Sequence, residues 1–288
     1  MERRKKPLKL FVRVVKLLAA DPRRSAALVT NSYDRIGAGY NDAWTNHMRD
    51  LTGELIDRME LRPGQKAMDL TCGTGYATGL IAQRTARTVI GVDASEGMLA
   101  QARAAYPRTC TFVRADILDY LKTLPDESLD AVTCCWGLGY SRPLRVLRQI
   151  RRILKKGGTV GIIDNTLFSL REVLWASMLT FMEQPGKLEN VMAFRFLMGR
   201  RHLSLWYRVA GLKPVRGWNG EKRYTAADGA EAIERLRATG AAAGFEHAAG
   251  QNDSTEIFAR CAEILDHRCA GSGGIPIVHR CLAGIASK

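Results

Sequence analysis

Three acids follow short apolar runs in the first half of this chain, and their spacing is the first sign of chemistry. The stretch KAMDLTCGTGYATG ends its apolar part at Asp69 and turns at once through Gly73, Gly75 and Gly79. The run TVIGVD ends in Asp93, and VRADI carries Asp116 and Ile117. Glycines directly after a strand let the backbone approach a nucleotide-like ligand, and an acid about 20 residues later can grip ribose hydroxyls. The spacing here is G-x-G-x-x-x-G rather than the dinucleotide G-x-G-x-x-G. Asp69 also puts a negative charge where a pyrophosphate would need a positive field. A carboxylate there suits a ligand that carries an ammonium and a sulfonium, and S-adenosylmethionine (SAM) carries both.

These acids need strands to hold them. Hydrophobic periodicity predicts strands over 66–70, 88–92, 111–114, 131–135 and 159–163. Helices are expected between them over 76–85, 96–105, 117–123 and 143–154, after a helical element at 42–59. Such alternation predicts a doubly wound parallel sheet with its ligand at the strand carboxyl ends. After Asp164 the pattern changes. Residues 167–218 are rich in Phe, Met, Trp and Leu and read as a helical insertion, expected to act as the acceptor lid. A helix over 226–243, a strand over 245–249, helical spacing from Ile257 to Leu265 and a last strand over 276–286 complete the reading. The expected segments are a basic amphipathic start (1–30), a SAM-binding core (31–166), the insertion (167–222) and the remainder of the sheet (223–288).

The motifs together resemble the class I SAM-dependent methyltransferases. Within them the chain is similar to the ubiquinone/menaquinone-biosynthesis C-methyltransferases and the related phospholipid N-methyltransferases. The residues that carry the resemblance are DLTCGTG at 69–75, GVDASEGML at 91–99, RADI at 114–117, LDAVTCCWGL at 129–138 and ILKKGGTVGIID at 153–164. SYDRIGAGYNDAW at 32–44 is similar to the segment those enzymes place before the fold. The resemblance implies a Rossmann-like, mostly parallel seven-stranded sheet with N-terminal helices and an insertion after the fifth strand. It also implies an enzyme that uses SAM. Asp69, Cys72, Gly73, Thr74 and Gly75 would take the methionine end of the cofactor. Asp93 and Ala94 would take the ribose, Met98 would border the adenine, Asp116 would take its amine, and Ile117 would lie against the ring. Tyr33 and Tyr40 match aromatics that close over the methionine portion, although helix packing explains them equally well. Trp136 stands after the fourth strand, beside the cofactor set.

The acceptor side is read from fewer residues. Asp164, at the end of the fifth strand, is the expected polar group for the acceptor, with Tyr140 and Tyr40 as further catalytic candidates. His47 and His202 each stand alone in the sequence and read as structural. Quinone-type members carry an Arg-Asn pair after their Gly-Leu, whereas Gly139-Tyr140-Ser141 stands here. This points the expectation toward N-methylation of an amine lipid headgroup such as phosphatidylethanolamine. C- or O-methylation of a quinone, polyketide or other small aromatic is the alternative, and a SAM-fold protein without turnover is a third. No Asn/Asp-Pro-Pro-Tyr-like motif follows the fourth strand, so nucleic acid is not the expected partner despite the net charge of +14.

Composition bounds the rest. A chain of 288 residues with 46% hydrophobic content can bury one large domain, or a domain plus a lid. Its seven cysteines match no zinc or disulfide spacing, so reduced thiols in the cytoplasm and no metal are expected. Cys72 needs only to be small. Residues 1–24 hold nine Lys or Arg against Glu2 and Asp21, a net +7. Within them Lys9, Arg13 and Lys16 share one helix face, and Leu8, Phe11, Val12, Val15, Leu18 and Ala19 fill the opposite one. The charges interrupt the apolar run, which argues against a transmembrane helix or secretory signal. Four readings remain: a peripheral anchor on anionic membrane lipids, a packed cap, an organelle-targeting presequence, or a nucleic-acid contact.

Overall fold

The computed structural model describes residues 6–20, 22–240, 247–250, 253–269 and 273–288. Five strands and their helices alternate as the periodicity requires. They are β1 (Ala67–Leu70), α4 (Tyr76–Thr85), β2 (Val89–Asp93), α5 (Glu96–Ala105), β3 (Cys110–Arg114), α6 (Ile117–Thr123), β4 (Leu129–Cys135), α7 (Pro143–Ile153) and β5 (Leu154–Asn165). Before them run α1 (Lys6–Ala20), α2 (Pro22–Ile36) and α3 (Asn46–Arg58); after them α8 (Arg171–Glu183), α9 (Arg200–Val209), β6 (Lys213–Ala226), α10 (Gly229–Ala238), α11 (Ser254–Cys269) and β7 (Ile275–Ser287). The seven strands form one sheet in the order β3-β2-β1-β4-β5-β7-β6. The pairs of β1 with β2 and β4, of β2 with β3, and of β4 with β5 are parallel, whereas β7 runs antiparallel to β5. Chain order reverses between β1 and β4, which is where open α/β sheets leave a crevice for a ligand.

The parallel strands are buried on both faces. Met68, Leu70, Val92, Val132, Cys134, Val160 and Ile162 lie in one core cluster, with α7 contributing Val146, Leu147, Ile150 and Ile153. Leu55, Ile56, Ile81, Leu99 and Ala102 fill the other cluster against Ala67, Val89 and Ile163. This two-sided burial is why these strands read as continuous apolar runs.

The chain divides into two compact units. One holds residues up to Ile36, Leu170–Ala193 and Lys222–His279; the other holds Gly37–Ser169, Phe194–Glu221 and Arg280–Lys288. In the first unit α8, α10 and α11 share a core of Val173, Ala176, Ile233, Leu236, Cys261 and Leu265. There α1 packs on α8 and the turn after it through Leu10, with Val14 and Leu17 beside Phe181 and Leu188.

Several expectations change. The sixth strand is β6 at Lys213–Ala226, not 245–249. Phe245 lies outside the described residues, and Ala249 makes only an isolated bridge to Leu188. The sequence of β6 explains the difference: KPVRGWNGEKRYTA alternates exposed and half-buried positions and is too polar to signal a buried strand. Trp218 therefore belongs to a strand rather than to the insertion. The helical element before the fold begins as a π-turn, Asn41–Thr45, and continues as α3. Arg13 does not share the open face of Lys9 and Lys16: its Nε donates to the Leu188 carbonyl.

Candidate functional site

The carboxyl ends of β1, β2, β4 and β5 bring most of the sequence-derived residues together. Asp69, in β1, is wholly buried, and the register sets it opposite Thr133 of β4. The Thr133 hydroxyl donates to Asp69 Oδ1 at 2.6 Å, and that of Thr78, from α4, to Oδ2 at 2.7 Å. Burial nevertheless pushes the Asp69 carboxyl up to about 6. The two hydroxyls stabilise this buried carboxyl.

The turn after β1 is built on backbone that side chains avoid. Gly73 has φ +52 and Gly75 has φ +86. A Cβ at Gly73 would meet nothing within 4 Å, so this glycine faces open space, as a ligand cradle requires. A Cβ at Gly75 would press on Phe112, Tyr106 and Ala102, and one at Gly79 would sit 2.3 Å from the Tyr106 ring. Gly79 thus serves helix packing and not the ligand. Asp93 ties the turn down: its Oδ2 accepts the Gly73 N–H at 2.9 Å and its Oδ1 the Ser95 N–H at 2.9 Å. Ser95 in turn caps α5, accepting the N–H of Met98. Cys72 is buried under this turn, and burial pushes its thiol well above the usual range, which leaves it an inert thiol.

Asp116 caps α6, accepting the N–H groups of Leu118 and Asp119 at 2.8 and 3.0 Å, and its carboxylate is exposed. Ile117 behind it is buried in the core, as is Met98 in α5, while Ala94 is exposed beside Arg114. Tyr33 lies in α2, where its hydroxyl reaches the Gly240 carbonyl at 3.5 Å.

A second layer comes from residues 37–45. Thr74 Oγ1 donates to Asn41 Oδ1 at 2.6 Å, which fastens this segment to the cofactor turn. Gly37 lies so close to α5 that a Cβ would meet the Gly97 carbonyl oxygen at 2.8 Å. Short π-helical turns recur at functional sites, and this one places Tyr40 within the field of Asp93. Burial, Tyr140 and Asp93 together push the Tyr40 phenol well above its usual range, so it stays protonated.

Beyond β4, Trp136 adopts φ +64, a strained conformation for a bulky residue. It is held there by a 2.8 Å bond from its Nε1 to Thr52 Oγ1 and by edge contact with Trp44. Asp164 ends β5, buried, accepting the N–H of Gly139 at 2.7 Å and of Asn165 at 2.8 Å. Burial pushes this acid up to about 7. The Gly139 carbonyl accepts the Arg195 N–H at 2.8 Å, and Phe194 and Phe196 then pack edge-on against Tyr140 at 5.3 and 5.6 Å between ring centroids.

Of the insertion's aromatics, Phe194 and Phe196 join Tyr140 after β4. Phe181 and Trp175 pack within the first unit, the latter beneath Arg268, and Trp206 leans on the sheet core. Thr78, Thr133, Asn41, Thr52 and Phe194 were missed as site residues by sequence reasoning. Thr133 had a usable signal, as a lone hydroxyl in a buried apolar strand facing Asp69, and the Phe-Arg-Phe alternation at 194–196 was another.

The site fits SAM by the chemistry of its donors: a buried acid for the cationic end, an open glycine turn, an acid at the end of β2, and an exposed acid after β3. Among the described residues, no group of three or more His, Cys, Asp or Glu could hold a metal ion.

Comparison with known proteins agrees. Residues 68–162 match the family model described as "Methyltransferase domain", and residues 13–110 match that of protein-L-isoaspartate(D-aspartate) O-methyltransferase. A demethylmenaquinone methyltransferase of Symbiobacterium thermophilum is 33% identical over 150 residues, which cover 48% of this chain and 59% of that protein. A trans-aconitate 2-methyltransferase of Escherichia coli is 40% identical over 130 residues, covering 42% and 50%. The chain thus spans between half and three fifths of the length of these curated relatives. A putative methyltransferase of Bacillus halodurans shares the fold at a TM-score of 0.57 and 15% identity, over 82% of this chain and 98% of that one. On the sheet order, the acid-and-glycine site and these matches, residues 68–162 form a methyltransferase domain of the SAM-dependent, class I type.

Proposed function

We propose that this chain moves the methyl group of SAM to a carbon or oxygen nucleophile on a flat, conjugated acceptor of the quinone or small-aromatic class. The observation that carries this reading is the ring cluster of Tyr140, Phe194 and Phe196, held to the end of β5 through Gly139 and Asp164. Flat apolar walls with few fixed polar groups suit a flat acceptor. The curated relatives' names support the reading, one being a quinone methyltransferase and the other acting on a small acid.

Bound SAM supplies an electrophilic methyl group on a sulfonium. The protein's own part is to align, dehydrate and hold charge. Asp69 neutralises the cationic end. Asp93 holds the turn around the ribose, and Asp116 presents a free edge to the adenine. As the S–CH3 bond breaks and the new bond to carbon or oxygen forms, S-adenosylhomocysteine leaves and the acceptor's proton passes to water; Tyr40, which remains protonated at neutral pH, can donate to a second oxygen of the acceptor and orient it. Asp164 acts as a positioning residue, since both of its oxygens already accept backbone N–H groups.

N-methylation of an amine-bearing amphiphile is the second reading, favoured by one fact: three aromatic rings can also face an ammonium. Asp164 supports it poorly, because both of its oxygens already accept backbone N–H groups. Either acceptor is amphiphilic, so the reading includes peripheral contact with a lipid surface.

The test incubates the protein with methyl-labelled SAM and cell extract, then partitions the label. Label in the organic phase that passes a cation exchanger is the expected result. Organic-phase label retained by the exchanger selects the amine reading. Label confined to the aqueous phase overturns both.

A further inference from the structure

We propose that the outward apolar face of α1 docks the protein on an anionic lipid surface. The inference extends the amphiphilic-acceptor reading, but its test needs no acceptor, so either can fail alone.

Helix α1 has two apolar faces. The inner one, Leu10 with Val14 and Leu17, packs beside Phe181 and Leu188. Two polar bonds fix that side: Lys6 Nζ donates to the Glu183 carbonyl at 3.1 Å, and Arg13 Nε to that of Leu188. The helix is therefore seated, and what it turns outward is set by its packing. That outward face is Leu8, Phe11, Val12, Val15 and Leu18, each between 43% and 65% exposed. On a helix of 3.6 residues per turn these five fall within about a third of the circumference. A helix that only had to cover α8 needs one apolar stripe and a polar remainder. The second stripe, centred on Val15 with Phe11 beside it, is exposed and packs on none of the core clusters of the described residues.

The border of the stripe identifies its occupant. Lys9 and Lys16 are exposed and adjoin it on the side of Val12. Apolar side chains flanked by lysines are the arrangement with which an interfacial helix sinks its face among acyl chains while the ammoniums meet anionic headgroups. The sequence adds net +7 over residues 1–24, so the attraction is complementary in charge to anionic lipid. No helix among the described residues is long and apolar enough to cross a membrane, so docking is peripheral.

The experiment is flotation of the full chain with vesicles of phosphatidylcholine and phosphatidylglycerol in equal parts, and with phosphatidylcholine alone. The full chain should float with the anionic vesicles and much less with the neutral ones. Phe11→Glu with Val15→Glu should abolish flotation, and Lys9→Ala with Lys16→Ala should weaken partition by about 30-fold. Both changes lie on exposed positions, and calorimetric SAM binding reports that the variants still fold. Equal flotation of wild type and the Phe11/Val15 variant overturns the proposal. So does a wild type that ignores both vesicle types. A wild type whose sedimentation shows self-association abolished by the same variant, with no vesicle binding, overturns it in favour of a second copy on this face.

Discussion

Asp164 Oδ2 accepts the backbone N–H of Gly139 at 2.7 Å, so the end of β5 holds the turn that follows β4. The same glycine offers its carbonyl to the Arg195 N–H at 2.8 Å. One peptide segment thereby links the buried acid of the sheet to the Phe-Arg-Phe segment that walls the candidate acceptor site. It also explains why no side chain is present at position 139, because a Cβ would sit 2.2 Å from the Phe196 ring.

Gly139→Ala should therefore spoil the acceptor wall and spare the cofactor. The methyl group must push Phe196 away from Tyr140, a displacement of a core-like ring that costs about 1–3 kcal/mol. The KM for the acceptor should rise by about 5- to 150-fold with the SAM Kd unchanged, as expected when uniform acceptor binding is lost. Steady-state kinetics beside calorimetry would read this. A parallel loss of SAM affinity would mean that the Gly139 turn belongs to the cofactor site.

Asp93→Ala should weaken SAM binding. It removes the acceptor for the Gly73 and Ser95 N–H groups as well as the candidate ribose partner. Loss of charge-assisted bonds of this kind costs roughly 2–4 kcal/mol, or between 30-fold and several hundred-fold in Kd. Calorimetry on the folded variant decides it. Unchanged affinity would remove Asp93 from the cofactor site.

The parallel half of the fold was legible because its strands are buried on both faces and end at acids or turns. From β1 to β5 the apolar runs coincide with the strands to within a few residues, except that β5 starts five residues earlier than expected. β6 was illegible for the converse reason: its residues alternate between half-buried and exposed, and Lys, Arg, Glu and Asn fill it. The meeting of Asp69, Gly73 and Asp93 at the strand ends could be read in the sequence, since strand ends and a tight turn set it locally. The acceptor side could not, since the contact between Tyr140 and Phe196 joins residues 56 positions apart in sequence through a loop. Phe181, Trp206 and Phe196 all fall in the apolar stretch 167–218, yet each packs with a different set of neighbours.

Thr74→Val should loosen the segment that carries Tyr40. The valine keeps the shape but leaves Asn41 Oδ1 without the 2.6 Å hydroxyl donor, at a cost of about 1 kcal/mol. If residues 37–45 close over bound SAM, the cofactor should dissociate about fivefold faster with little change in its association rate. Stopped-flow fluorescence of the nearby Trp44 and Trp136 would follow the exchange. Identical dissociation rates in variant and wild type would show the segment to be a fixed wall rather than a closing one.

The two buried acids contribute a pH dependence of their own to the free protein's stability. Burial raises Asp69 to about 6 and Asp164 to about 7, both above the unfolded value of about 4. As pH rises through this interval the unfolded chain releases both protons first, while the folded protein still holds them. Folding stability must then fall between about pH 4 and pH 7 and level off above. Acids held low by cationic or hydrogen-bonding partners, such as Glu172 and Glu183, act in the opposite sense, and their contribution is lost only as pH drops below about 4. They do not mask the trend. Asp164→Asn removes one of the two titrations and retains most of the shape. Between pH 5 and pH 7.5 the wild type should lose on the order of 2 kcal/mol more stability than this variant. Urea unfolding at both pH values, with equal m-values, measures the difference. Equal losses in the two proteins would show that Asp164 is ionised throughout and is held by its two N–H donors as an anion.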